Sequence, residues 1–237
     1  HPMRSLYHFR WFWDYSGGQM TNLGAHHIDI VQWMMNVKGP MTVSSVGGRY
    51  VLEGDGDTPD TQEAIFQYPG FTAVCSLREG AIGQRRAPGL QFLGHRASLT
   101  IDRGGFEIAP EMKIDPNNAV PQFKGHSSGG VQHSAVKPEP YTQPVKEKGS
   151  SDQQFDLHVR NFLDCIKSRQ RPIADVEDGH QITTACHLAN ISLRLGGRTV
   201  RWDGEKEQIV GDAEAAAMMR RPYRKPWDKV IADLKLG

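Results

Sequence analysis

What this chain lacks excludes several functional classes. Its only cysteines are Cys75, Cys165 and Cys186, an odd number, far apart, with no Cys-x-x-Cys pair. Neither a disulfide framework nor a cysteine zinc site is expected. No run of about 18 apolar residues occurs, so no membrane-spanning helix is expected. Neither charge dominates: 28 Lys+Arg against 27 Asp+Glu leave +1, whereas a nucleic-acid binder normally shows a clear basic excess. The opening His1-Pro2-Met3-Arg4 has no start methionine and no apolar signal core. It reads as an internal cut, which leaves localisation, cytoplasmic or exported, open.

Two nucleotide motifs are also missing. The only Gly-x-Gly, Gly54-Asp55-Gly56, would place the third glycine of a dinucleotide fingerprint on Pro59, and no Gly-Lys-Ser/Thr phosphate loop occurs. Any nucleotide would have to be held elsewhere. Gly125-His126-Ser127-Ser128-Gly129 matches a nucleophile elbow in letters. That device needs a strand before it and a helix after it, and here it lies in a Ser/Gly/Pro loop.

What is present is globular: 38% hydrophobic and 23% charged over 237 residues. A chain of this length buries roughly 70–75% of its unfolded surface. Residues 19–36 read as a helix after the Gly17-Gly18 turn. Segments 41–53, 62–68, 71–79, 90–95 and 97–108 read as short antiparallel strands, with Pro69-Gly70 as a hairpin turn. Residues 110–150 lose periodicity and read as a long loop, a surface insertion or a lid. A helix over 151–168 starts on a Ser151/Gln154 capping box and carries an apolar stripe of Phe155, Val159, Phe162, Leu163 and Ile166. A second helix, 176–195, follows the N-cap Asp175 and stops at Gly196. A strand at 199–202, a helix near 212–219 and a Pro/aromatic tail (220–237) close the chain. Strands flanked by helices predict an α+β fold: one domain over 1–237, an open, mainly antiparallel sheet with helices on one face. The other face would need a partner domain or subunit.

The segment that bears chemistry is Gly17-Gly18-Gln19-Met20-Thr21-Asn22-Leu23-Gly24-Ala25-His26-His27-Ile28-Asp29. On a helix Asn22, His26, Asp29 and Trp33 share one face, and Met20, Gly24, His27 and Val31 the other. A histidine among polar neighbours can trade a proton near neutral pH. The alternative is a buried His26 satisfied by Asp29. His27 falls on the apolar side, as a core residue. Gly24 would admit close backbone approach by a ligand or another element. Adjacent histidines point about 100° apart on a helix, so His26 and His27 rarely share an ion, and no metal is expected.

The glycine pair followed by Asn22-Leu23-Gly24-Ala25-His26-x-x-Asp29 resembles the C-terminal domain of the glucose–fructose oxidoreductase / inositol dehydrogenase / MocA family. Arg96–Phe106 resembles its strand pair, and His158-x-x-Asn161-Phe162-Leu163-Asp164-Cys165-Ile166 its late helix. Arg221-Pro222-Tyr223-Arg224-Lys225-Pro226-Trp227 resembles the tail of a bacterial branch. The resemblance covers nearly the whole chain except 110–150. It implies an N-terminal Rossmann domain that binds NAD or NADP and is absent from this chain. It also implies a sugar or polyol substrate, and a homodimer or homotetramer built on the open sheet face. The family's catalytic lysine lies in a Glu-Lys-Pro motif, which this chain lacks. Its catalytic aspartate and histidine map onto Asn22 and His26. Asn22 cannot ionise, but it can orient a hydroxyl or an imidazole. Arg10, Trp11, Trp13 and Asp29 are the candidate substrate contacts, the tryptophans by stacking on a sugar face. His158 and His180 read as structural, and the Arg220–Lys225 cluster as a tail packed on the body.

Three functions follow. The first is the substrate and oligomerisation domain of an NAD(P)-dependent sugar or polyol oxidoreductase, inactive as a fragment. The second is an NAD-dependent glycoside hydrolase or lyase on the same scaffold, which Asn22 slightly favours. The third is a non-catalytic sugar-binding module. None involves nucleic acid or membrane.

Overall fold

The strand predicted over 41–53 stops early, and the cause is a carboxylate. The computed structural model describes residues 6–81, 89–113 and 139–234. In it β1 runs over Thr42–Gly48 only. Buried Asp60 then takes the backbone N–H groups of Tyr50, Val51 and Leu52 (2.7–3.1 Å). Those donors are diverted from the sheet ladder, and the chain leaves it.

The described residues form two compact units, one of His1–Gly83 with Ala174–Gly237 and one of Gln84–Ile173. In the first, β1, β2 (Thr61–Tyr68), β3 (Phe71–Arg78), β8 (Val200–Asp203) and β9 (Gln208–Ile209) form an antiparallel sheet in the order β3-β2-β1-β8-β9. Pro69-Gly70 closes the β2–β3 hairpin as expected, with Tyr68 paired to Phe71 and Gly70 at φ +86°. Along β2 burial alternates residue by residue, so Gln62, Ala64, Phe66 and Tyr68 face inward.

Helices α1 (Ala25–Met35) and α3 (Val176–Arg194) pack on each other, and α3 lies on β1. Met20, Ile28, Val31, Ala185, Leu188 and Ala189 join the inward strand residues as the core. On the opposite sheet face Ile65 is 51% and Val74 69% exposed. Asp175 caps α3 by accepting from Glu177 N (2.9 Å). Past the end of α3, Gly196 and Gly197 take positive φ. A short helix α4 (Ala213–Ala217) starts on Asp212, which accepts from Ala215 N.

The second unit has its own antiparallel sheet, β4 (Leu90–Leu93), β5 (Ala97–Asp102), β6 (Gly105–Pro110) and β7 (Val145–Lys148). The predicted strand 97–108 is therefore a hairpin. It turns because the Asp102 carboxylate accepts Gly104 N at 2.6 Å. The segment 110–150 is not all loop, since β7 pairs with β6 and Met112 bridges to Pro140. Residues 114–138, including Gly125–Gly129, lie outside the described residues. Helix α2 (Ser151–Ser168) follows, but its N-cap is Ser150, with no side-chain cap bond. Ser151 is thus the first helical residue and not the cap, so the expected capping box does not form, and Gln154 Nε2 donates to Arg103 O in the β5–β6 turn (3.2 Å). The apolar stripe Phe155, Val159, Phe162, Leu163 and Ile166 is exposed. In the tail a last helix, α5, spans Trp227–Asp233.

Candidate functional site

The glycine pair folds as a turn because no side chain fits there. Gly18 has φ +66°, and a Cβ on it would meet Thr58 at 2.8 Å. A Cβ on Gly17 would lie 2.5 Å from Asn190 Nδ2. The turn is held from both directions. Thr21 Oγ1 accepts from Gly17 N and donates to Gly18 O, both at 3.2 Å. From α3, buried Asn190 donates to Gly17 O (2.9 Å) and accepts from Gln62 Nε2 (3.2 Å). Gln62 also donates to Ser45 Oγ (3.0 Å). Ser192 Oγ accepts from Ser45 N (2.8 Å) and donates to Arg198 O (2.7 Å). A fully partnered buried network of this kind fixes one geometry.

The predicted helix 19–36 is not regular where it matters. Met20–Gly24 form a π-turn, and the α-helix starts only at Ala25. One-turn π segments inside helices are frequent at functional sites. Asn22 sits in the middle of this one. Gly24 is buried, and a Cβ on it would lie 3.0 Å from the Met20 sulfur and 3.9 Å from Leu77. The close approach that Gly24 permits is thus made by the core and not by a ligand.

Asn22 is gripped at both ends of its amide. Arg10 Nε donates to Oδ1 (3.3 Å), and Nδ2 donates to Gln19 Oε1 (2.9 Å). Arg10 arrives on a 3-10 turn, Leu6–Trp11. Its guanidinium lies 4.0 Å from the Tyr7 ring centroid and donates to Tyr7 O (2.6 Å). Arg10 and Tyr7 are three residues apart, the spacing a 3-10 turn eclipses. Gln19 and Tyr7 were not singled out from sequence. Gln19 stands three residues before Asn22, a spacing that helical geometry could have offered.

His26 is exposed on the first turn of α1, so the reading of a buried, mutually satisfied pair with Asp29 does not hold. Asp29 lies one turn on, also exposed. Desolvation pushes its carboxyl up; His26 pulls it down and Asp178 pushes it up, and the net shift is upward. On the apolar side Met20, Gly24 and Val31 are buried as predicted, while His27, expected in the core, is only half-buried. Trp33, on the polar face, is exposed.

The tryptophans go elsewhere. Trp11 O accepts from Asp57 N (2.9 Å), and Trp13 N donates to the Asp57 carboxylate (2.7 Å), tying down the 55–58 loop. The Trp13 ring lies 5.1 Å from the Arg194 guanidinium, in a separate concavity. The structure therefore brings Arg10, Asn22 and Gln19 together ahead of His26 and Asp29, and leaves Trp11 and Trp13 out of that contact. His180 pairs with Glu207 (3.0 Å). The tail packs on the body as expected, Arg221 and Arg224 both donating to Asp14 O (2.7 and 3.2 Å).

No group of three His, Cys, Asp or Glu among the described residues could hold a metal ion. Gly54-Asp55-Gly56 lies in the loop between β1 and β2, not between a strand and a helix. The three cysteines are free thiols, and no described helix is long and apolar enough to cross a membrane.

Comparison with known proteins gives the lineage. Residues 1–100 match the family model of the GFO/IDH/MocA C-terminal domain. Residues 144–229 match that of the oxidoreductase family, C-terminal alpha/beta domain. No protein of curated function matches the sequence. Among solved structures, levoglucosan dehydrogenase in complex with NADH and levoglucosan is similar at 15% identity and TM-score 0.57, over 81% of this chain and 52% of that one. The oxidoreductase yvaA of Bacillus subtilis is similar at 14% identity and TM-score 0.54, over 82% and 53%. The chain spans about half the length of these structures. At such identities the likeness speaks for the fold, and the two family models supply the family. Together they cover residues 1–100 and 144–229, and the chain carries the C-terminal α/β domain of the GFO/IDH/MocA oxidoreductases.

Proposed function

We propose that this chain is the substrate-handling half of an NAD(P)-dependent sugar or polyol oxidoreductase. The observation that carries the reading is the clamp of Arg10 and Gln19 on Asn22, in a π-turn directly before exposed His26. Arg10 and Asn22 are fixed, polar and accessible, which suits recognition of a hydroxylated substrate. His26 would take the hydroxyl proton as the substrate carbon is oxidised. Asn22 would orient that hydroxyl, and Asp29 would sustain a positive imidazole.

The nicotinamide, when bound, supplies the hydride acceptor. Its holder in this reading is an N-terminal Rossmann domain, which would also bring the family's lysine. The chain alone is then inactive. The face of the five-stranded sheet on which Val46, Ile65 and Val74 are exposed supports assembly into a homodimer or homotetramer. One observation favours a second reading: Asn22 stands where the family has an aspartate and cannot relay a proton. Oxidation followed by elimination and re-reduction, which releases sugar from a glycoside, fits that change.

The test is to express the chain behind its upstream coding sequence and supply NAD or NADP with a panel of sugars and polyols. Growth of NAD(P)H absorbance that His26→Ala abolishes supports the dehydrogenase. Free sugar released from a glycoside without net NADH supports the second reading. Full turnover by His26→Ala would sink both.

A further inference from the structure

Away from Asn22 and His26, the first unit holds a concavity with an unusual charge balance. A cavity of about 630 Å³ lies against α3 and is bounded by Trp13, Tyr15, Met218, Met219 and Arg221. Its charged and titratable lining is Arg194, Arg221, His180 and His187, with no acidic side chain. A neighbouring groove shares Trp13, Tyr15, Arg194 and Arg221, and adds Arg220 and Arg224 against the single acid Asp14. In a chain whose whole net charge is +1, this concentration is not a result of composition.

The arginines are also held there at a cost. The guanidiniums of Arg221 and Arg224 converge on one acceptor, the carbonyl oxygen of Asp14 (2.7 and 3.2 Å). Arg221 also donates to Ser16 O (3.4 Å). Arg194 lies over the Trp13 ring. Among the described residues, no carboxylate forms an ion pair with Arg194, Arg221 or Arg224. Like charges gathered on a neutral acceptor repel one another, and an anion among them would reverse the sign of that interaction. Desolvation pushes the His187 imidazole below its ordinary value, and the charge of Arg221 pushes it further. Of the charged groups on the wall, Arg194 and Arg221 share one sign, and among the described residues His180 alone of the lining histidines and arginines meets a carboxylate, Glu207.

We infer that this cavity is a binding site for a small organic anion, a carboxylate or phosphate on a hydroxylated body. Arg194 and Arg221 would pair with the anionic group in the fork geometry that guanidinium offers an oxyanion. Tyr15 and Thr184 on the wall offer hydroxyls to the rest of the ligand. The volume exceeds that of an inorganic ion and falls in the range of small-molecule sites, roughly 300–1,000 Å³. The inference does not rest on the proposed reaction.

The experiment is calorimetric titration of the 237-residue chain with glucuronate, glucose 6-phosphate, inorganic phosphate and neutral glucose. At least one sugar anion should bind, more tightly than inorganic phosphate, with affinity falling as salt rises, and glucose should not bind. The two sugar anions separate a carboxylate ligand from a phosphate ligand. Arg194→Gln and Arg221→Gln should each weaken binding roughly tenfold. Arg194→Lys, which keeps charge and lacks the fork, should fall between. Lys225→Gln removes the same charge outside the cavity and should change nothing. His26→Ala should also leave binding intact, which separates this site from the proposed active site. Thermal melts of each variant show whether it is folded. The inference is overturned if neither sugar anion binds, if phosphate alone matches them, or if Lys225→Gln weakens binding as much as Arg194→Gln.

Discussion

Acid should destabilise the first unit measurably through one residue, Asp60. The side chain is 1% exposed. Its carboxylate accepts from Leu52 N (2.7 Å), Val51 N (2.8 Å), Tyr50 N (3.1 Å) and the Thr61 hydroxyl (3.0 Å). Burial pushes the group up, and those four donors outweigh it, holding it down at about 2 against an ordinary 3.8. A depressed carboxylate contributes stability that is fully present above the unfolded value and lost as pH falls through the folded one. At about 1.36 kcal/mol per unit, the full contribution is about 2 kcal/mol. Roughly 1.5 kcal/mol of it is lost between about pH 5 and pH 2.5 by the same linkage. All five tryptophans lie in this unit, so intrinsic fluorescence follows its unfolding alone. Urea titrations at the two pH values, on the native chain and on Asp60→Asn, give the difference. Asp60→Asn should be less stable at about pH 5 and lose about 1.5 kcal/mol less on acidification, because its amide does not titrate there. Parallel acid losses in the two proteins would refute the reasoning.

Other positions carry sharp expectations. Gly17→Ala forces a methyl to within 2.5 Å of Asn190 Nδ2; it should cost roughly 1–3 kcal/mol in urea unfolding, and a neutral result would mean that the turn is soft. Asn190→Ala removes the side-chain donor to Gly17 O and one of the two acceptors of Gln62, which keeps Ser45 Oγ. Destabilisation by about 1–3 kcal/mol is expected, with Asn190→Asp no better, since a carboxylate cannot donate to that carbonyl. Burial pushes the Cys186 thiol up to about 12 and, with Glu63 adding, Cys75 up to about 11. Both should resist iodoacetamide at about pH 8 in the folded chain and react after unfolding. Rapid labelling of either in native conditions would show that the core opens.

How far the sequence carried depended on whether each signal was local. The alternation of β2, the Pro69-Gly70 turn and the Asp175 cap are each written within a few residues, and all three formed as read. The apolar side of the 19–36 segment was equally legible, because helical spacing survives one irregular turn. The failures share a different feature. Asp60 ends β1 from more than ten residues downstream, and the hydrogen bonds involved leave no trace in strand propensity. Ser151 and Gln154 have the capping-box spacing, yet the helix begins at Ser151 itself, and Gln154 meets a carbonyl, Arg103 O, about fifty residues away in sequence. The separation into two sheets depends on which strands find partners, and nothing in the composition of β3 or β4 states that.

The candidate site follows the same division. Helical spacing put Asn22 and His26 on one face, the family resemblance gave them their roles, and Arg10 followed as a residue near the expected pocket. The π-turn was not foreseen. It exists because α3 supplies Asn190 to the carbonyl of Gly17, across more than 170 residues of sequence, while Thr21 folds back to the same glycines. That turn sets where Asn22 meets Gln19 and Arg10. The candidate residues Asn22 and His26 are therefore close in the chain, while the turn that presents them is tied to the buried polar network of Gln62, Ser45 and Asn190. Substitutions in that network should disturb the site without touching any group in it, so the core of this unit and its reactive surface are one structural problem.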